Sequence, residues 1–200
     1  MKQYKLIVSD RNYNEYDYLD TKMLKPVVPR LDLNPLNYNL FNQDIIEYDG
    51  KTCNLLHSSI RNSVIPGVLV LERDEKHGSV GRLSNYKYLY KCIPDDRRLP
   101  EFLIPYKIKK SFSKKLENRY IVFKFDKWNH SVVKHPLGTC LQNLGPTSNL
   151  NSFYEYQLYC KSLYASITQF NKVTMKKLRE KSEEEFIELI KNKYEIENRT

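Results

Sequence analysis

The run from residue 67 to residue 147 restricts the fold most. Apolar segments of strand length recur there between turn residues, and none keeps a helical three-and-four spacing long enough to build a helix. Residues 120–125 are the clearest case, with Ile121, Phe123 and Phe125 on one face. Residues 86–93 alternate in the same way: Tyr86, Tyr88, Tyr90 and Cys92 share one face, and Lys87, Leu89, Lys91 and Ile93 share the other. Pro94 stops that run. Residues 67–72, 79–83, 101–106 and 139–144 complete the set, the last closed by Gly145-Pro146. Short strands at this spacing predict a small barrel or sandwich, in an all-β to α+β class.

The flanks read differently. Residues 4–8 are strand-like, and residues 25–35 hold Pro26, Pro29 and Pro35, which predicts an extended connector. Residues 43–48 and 52–57 flank Asp49-Gly50, a two-residue hairpin turn. Asp10, Asp17 and Asp20 lie in a polar segment and read as surface or turn carboxylates. Near residue 150 the period changes from 2 to 3.6. Phe153, Tyr156, Cys160, Leu163, Ile167 and Phe170 form one stripe of an amphipathic helix, with Ser152 and Glu155 as its capping box. A second box, Ser182 with Glu185, opens a last helix whose apolar side is Phe186, Leu189, Ile190 and Tyr194. Its acidic first turn and its Lys191 and Lys193 match the helix dipole. These aromatic stripes are packing surfaces.

Composition narrows the class of partner. Residues 64–71 are the most apolar stretch, far too short to span a bilayer, and the N-terminus has no apolar signal region, so a cytoplasmic protein without membrane contact is expected. Cys53, Cys92, Cys140 and Cys160 form no C-x-x-C pair and read as reduced thiols. His57, His77, His130 and His135 do not stand at ligand spacing from them, so no metal site is expected. The net charge of +9 is unevenly placed. Residues 1–66 hold 8 basic and 8 acidic side chains, residues 67–147 hold 16 and 8, and residues 148–200 hold 9 and 8. An excess confined to one segment points to a polyanion.

That excess peaks between residues 107 and 134. Lys107, Lys109, Lys110, Lys114, Lys115, Arg119, Lys124, Lys127 and Lys134 face only Glu117 and Asp126, and the single tryptophan, Trp128, sits among them. Basic side chains neutralise phosphates, and an aromatic face stacks on any base. The alternative is a solvated basic loop beside a core tryptophan. In the 86–93 strand the lysines must face water, so the tyrosines line the interior and Lys87 and Lys91 are contact candidates. Of Arg97 and Arg98, one pairs with Asp95 or Asp96 and the other stays free. No nucleophile motif such as G-x-S-x-G occurs.

Specific residues also carry a family resemblance. Cys92-Ile93-Pro94-Asp95-Asp96-Arg97-Arg98-Leu99-Pro100, followed by Phe102-Leu103-Ile104-Pro105, resembles the V-P-D-D-x-R-L … I-L-I-P stretch in the second cold-shock-like OB domain of RNase II/RNase R/exosome-type exoribonucleases. Residues 67–73 and 80–83 look like the entry to that domain. Residues 122–128, His135-Pro136-Leu137-Gly138-Thr139 and Leu144-Gly145 are similar to its later strands. The resemblance implies a reduced first OB-like region at 1–66, a small cold-shock-like OB barrel at 67–147, and a helical segment at 148–200 that leads toward a catalytic domain. The Tyr- and Asn-rich style resembles the branch in large DNA viruses. In the family the catalytic domain holds Mg²⁺ with a pattern like D-P-x-x-x-x-D-x-D-D, which these 200 residues do not contain. The expectation is therefore a non-catalytic module that binds single-stranded RNA, without a cofactor or catalytic residue of its own. Its expected contacts are Lys87, Lys91, Arg97, Lys107, Lys109, Lys110, Arg119, Lys124, Lys127, Trp128 and Lys134. Two alternatives stand beside it: a subunit of an active exoribonuclease whose catalytic domain is on another chain, and a protein-interaction module that docks a partner through its C-terminal helices.

Overall fold

Two sheets follow one another along the chain in the computed structural model, which describes residues 2–29, 31–72, 82–83, 87–108, 116–130, 133–163, 167–180 and 182–194. The first sheet holds β1 (Lys2–Val8), β2 (Tyr16–Asp20), β3 (Ile45–Tyr48) and β4 (Cys53–His57), antiparallel, in the order β2-β1-β3-β4. Strand β1 alternates as its period requires, burying Tyr4, Leu6 and Val8. Strand β2 arises in the polar segment where no strand was expected. Its Tyr18 is buried, while Asp10 and Asp20 cap the turns on either side by accepting from backbone N–H groups of Asn12, Glu15, Lys22 and Met23. The hairpin after β3 is longer than a two-residue turn, since β4 starts only at Cys53. Asp49 explains this: its carboxylate accepts from the backbone N–H of Lys51 and Thr52 and from the Thr52 hydroxyl. Those bonds hold its carboxyl down at about 2.

The second sheet is a barrel. Its strands are β5 (Ile65–Leu69), β6 (Arg82–Leu83), β7 (Lys87–Pro94), β8 (Phe102–Tyr106), β9 (Arg119–Lys127) and β10 (Leu137–Pro146). The order β5-β9-β10-β8-β7 closes when β7 pairs back onto β5, Val68 with Ile93 and Leu69 with Cys92. Short β6 pairs only with the start of β7. Every pairing is antiparallel except β8 with β10, joined at Leu103 and Leu137. Five strands closed in this order make an OB-type barrel. The alternation in residues 120–125 holds: Ile121 and Phe123 are fully buried inside. Residues 79–81 and Tyr86 lie outside the described residues. Gly67 lets the barrel close, because a Cβ there would come 2.8 Å from Cys92 Sγ and 3.0 Å from a Phe123 ring carbon.

The loop before β3 packs Phe41 against the barrel's aromatic residues. Phe41, fully buried, stacks on Phe102 at 5.9 Å and on Trp128 at 5.1 Å, and meets the Phe125 ring edge-on at 5.2 Å. Burial of such a ring contributes roughly 1.5–3 kcal/mol. Arg61 lies over the Phe41 and Phe125 rings at 5.5 and 4.9 Å. Arg11 fastens the same junction, its Nε and Nη2 donating to the carbonyls of Leu99 and Pro94. One buried cluster therefore runs from Leu6 and Ile46 through Phe41 to Phe102 and Phe123.

The helices depart from the expected single stripe. Helix α1 (Leu150–Cys160) packs against β5, β9 and β10. Its cap is Asn149, whose side chain accepts from the Ser152 N–H, and not the Ser152–Glu155 box. Both box residues are buried, and Glu155 accepts from Gln142 of β10 instead. The helix ends in a Schellman motif. Ser162 takes the left-handed conformation, its N–H reaching the Tyr159 carbonyl, and Leu163 N–H reaches that of Leu158. The stripe through Phe170 is thus cut in two. By contact pattern residues 1–163 form one compact unit and residues 164–200 another. The second holds α2 (Ile167–Glu180) and α3 (Glu183–Tyr194). Helix α3 has the expected box: Glu185 N–H donates to Ser182 Oγ, and Ser182 N–H to the Glu185 carboxylate. Helix α2 leaves Phe170, Val173, Met175 and Leu178 exposed. No helix among the described residues is long and apolar enough to cross a membrane.

Candidate nucleic-acid interface

The outer side of β9 and the loop that follows it carry the free positive charge. Because Ile121 and Phe123 point inward, Lys124 points outward, and it is exposed opposite exposed Thr139 of β10. Lys127 is exposed where β9 ends, paired with Leu137 at the base of the β9–β10 loop, and Lys134 is exposed within that loop. Lys107 is exposed just after β8, Arg97 just after β7, and half-buried Arg119 opens β9. None of these six makes an ion pair with a described carboxylate. A polyanion would therefore break no ion pair between these six and a described carboxylate.

Lys91 is different. Its Nζ stands 2.9 Å from Glu101 Oε2, with His135 Nε2 at 4.0 Å on the same oxygen. Burial raises the Glu101 carboxyl, but the Lys91 hydrogen bond and charge outweigh it and hold it below the usual range. Burial pushes His135 down, against the pull of Glu101, which favours the neutral imidazole. The outward face of β7 thus does not leave Lys91 to water as the alternation implied. Its charge is already matched across the strand pair by Glu101, the residue just before β8. Arg98 pairs with Asp96, Nε to Oδ1 at 2.9 Å and Nη2 to Oδ2 at 3.0 Å, and Arg97 makes no ion pair with a described carboxylate.

Trp128 is a core residue, which corrects its reading as a stacking platform. It is 9% exposed, with Phe41 stacked on it and Tyr13 edge-on at 6.4 Å. A ring covered in this way has no face for a base. The tyrosine ladder needs a correction as well. Cys92 is inside and Tyr90 packs against the core, but Tyr88 is 43% exposed. It sits opposite Tyr106, whose hydroxyl accepts from Asn143. Among the described residues of the barrel strands, the aromatic open to solvent is thus Tyr88. Its place near the start of β7, beyond the span of the β5 partner strand, is the signal that marks it. Lys109 and Lys110 lie outside the described residues, as does the side chain of Lys87.

Among the described residues no group of three His, Cys, Asp or Glu side chains is placed to hold a metal ion. Asp95 accepts from the Tyr156 hydroxyl at 3.2 Å and Asp96 is bound to Arg98, so this acidic pair works within the fold.

A closed five-stranded barrel with this strand order, its β8–β10 parallel pair and its following helix define an OB domain. Residues 89–156 match the family model described as Dis3-like cold-shock domain 2. Over that segment, about a third of the chain, the sequence is similar to this domain type, which forms part of RNB-family exoribonucleases. The match takes in most of β7, all of β8, β9 and β10, and the first part of α1; the closing strand β5 lies before it. No curated protein matches the chain.

Proposed function

We propose that this chain binds single-stranded RNA through the outer side of its OB barrel and is non-catalytic by itself. The observation that carries the reading is the set of exposed lysines, Lys124, Lys127 and Lys134, on one strand and its following loop, with no carboxylate partner among the described residues. The Dis3-like cold-shock match and the basic excess of residues 67–147 support it. The lysines neutralise phosphates, Lys107, Arg119 and Arg97 extend the track, and Tyr88 offers a face for a base. Contacts of this kind carry little sequence preference.

The test is a salt titration of RNA affinity. Each phosphate contact on a single strand contributes roughly 0.7 to the log–log slope. Lys124→Ala, Lys127→Ala and Lys134→Ala combined should flatten the slope by up to about two units with little change in melting temperature. A triple variant that binds as the parent does at low salt, with an unchanged slope, would sink the reading.

A further inference from the structure

A cleft of about 520 Å³ lies outside the barrel where β5 and β7 pair, between the β1–β2 turn and α1. Its floor is apolar. Val68 and Ile93 are cross-strand partners whose neighbours Leu69 and Cys92 turn inward, so both point outward, and Pro94 extends the surface. One wall is Tyr156 of α1, whose hydroxyl donates to Asp95. The opposite wall is Arg11, and its guanidinium is held in place by the carbonyls of Pro94 and Leu99. Arg97 is exposed on the lip without an ion pair to a described residue. Asp10 also borders the cleft, but its carboxylate is engaged by Asn12, Asn14 and Glu15 in its own turn.

We propose that this cleft is a nucleotide site, which takes one nucleotide of a bound RNA strand with the base on Val68, Ile93 and Pro94, its edge toward Asp95, and the phosphate at Arg97. The proposal rests on the RNA-binding reading above. The volume suits a mononucleotide, within the range of about 300–1,000 Å³ usual for small-ligand sites. The chemistry is divided as a nucleotide is: a flat apolar floor for the ring, an acceptor for donors on the base edge, and an unpaired guanidinium for the anion. An acidic peptide would bring its carboxylates against Asp10 and Asp95. A purely apolar ligand would strip water from Arg97 and Asp95 without replacing it.

The experiment titrates the whole chain with GMP and, separately, with inorganic phosphate, following amide shifts by NMR. It then repeats both with Arg97→Ala, and measures a single-stranded RNA decamer with each protein. The expected result is that GMP binds more tightly than phosphate and shifts the amides of residues 68, 93 and 95–97. Arg97→Ala should weaken GMP roughly tenfold, the loss of one charge-assisted hydrogen bond, and weaken RNA in the same direction, at an unchanged melting temperature. The Lys124, Lys127 and Lys134 triple variant should lose RNA affinity and keep GMP. If GMP binds no better than phosphate, or binds Arg97→Ala as it binds the parent, the cleft is not a nucleotide site, even if RNA binding stands. A parent that fails to bind the decamer instead overturns the RNA reading.

Discussion

At the scale of single residues, the difference between a contact and a core group is set by who sits opposite. Trp128 and Lys91 both looked like ligand contacts in a basic, strand-rich segment. Phe41 reaches Trp128 from the loop before β3 and Tyr13 from the β1–β2 turn, and Glu101 reaches Lys91 from across the strand pair. Neither neighbour is local in sequence, so no pattern around residue 91 or 128 announces it. Trp128→Ala should therefore destabilise the fold by about 3–5 kcal/mol, the usual cost of emptying a large aromatic site. A base-stacking tryptophan would instead lose roughly 1–3 kcal/mol of RNA affinity at constant stability. Trp128→Phe should recover most of the stability, because the indole N–H has no hydrogen-bond partner among the described residues. Melting curves and RNA titrations on the two variants decide. An alanine variant that melts with the parent and binds RNA poorly would return Trp128 to the interface.

At the scale of elements, strands with strong alternation were legible and boundaries set by capping were not. Strands β7 and β9 were readable because the barrel has one inside, and Cys92, Ile121 and Phe123 mark it at period 2. The box at Ser182 and Glu185 was readable because both partners sit three residues apart. Strand β2 was not, since its short polar sequence becomes a strand only by pairing with β1. The end of α1 was hidden because Ser162, not glycine, takes the left-handed position at the break. That choice is testable. Left-handed backbone costs an ordinary residue about 1–2 kcal/mol, while glycine adds about 0.4–1 kcal/mol of entropy to the unfolded chain. The relief is larger, so Ser162→Gly should stabilise by up to about 1 kcal/mol. Asn149→Ala, at the other end of α1, should cost about 1 kcal/mol. Denaturant midpoints check both, and a destabilised Ser162→Gly variant would show that α1 does not end in this motif.

At the scale of the whole molecule, the placement of charge and carboxylates bears on the proposed role, holding RNA without cutting it. The barrel segment holds 16 basic and 8 acidic residues, and three of its acids are engaged within the fold: Asp96 with Arg98, Glu101 with Lys91, and Asp95 with Tyr156. Elsewhere Asp10, Asp20 and Asp49 cap turns, and Asp44, fully buried, accepts from the Phe41 N–H. A two-metal hydrolytic site needs several carboxylates aimed at one point, with ligands left over for the ions. A carboxylate already accepting backbone or guanidinium hydrogen bonds has fewer lone pairs, and less freedom to turn, for a metal ion. We therefore expect the purified 200-residue chain to bind a labelled single-stranded RNA and leave its length unchanged in Mg²⁺ or Mn²⁺. Denaturing gels over several hours of incubation would read this. Shortening from the 3′ end would defeat the expectation if it survived repurification and vanished on replacing one named carboxylate of this chain with its amide. Shortening that persisted in every such variant would trace to a contaminating nuclease, because no metal-dependent cut can outlast the loss of each ligand in turn.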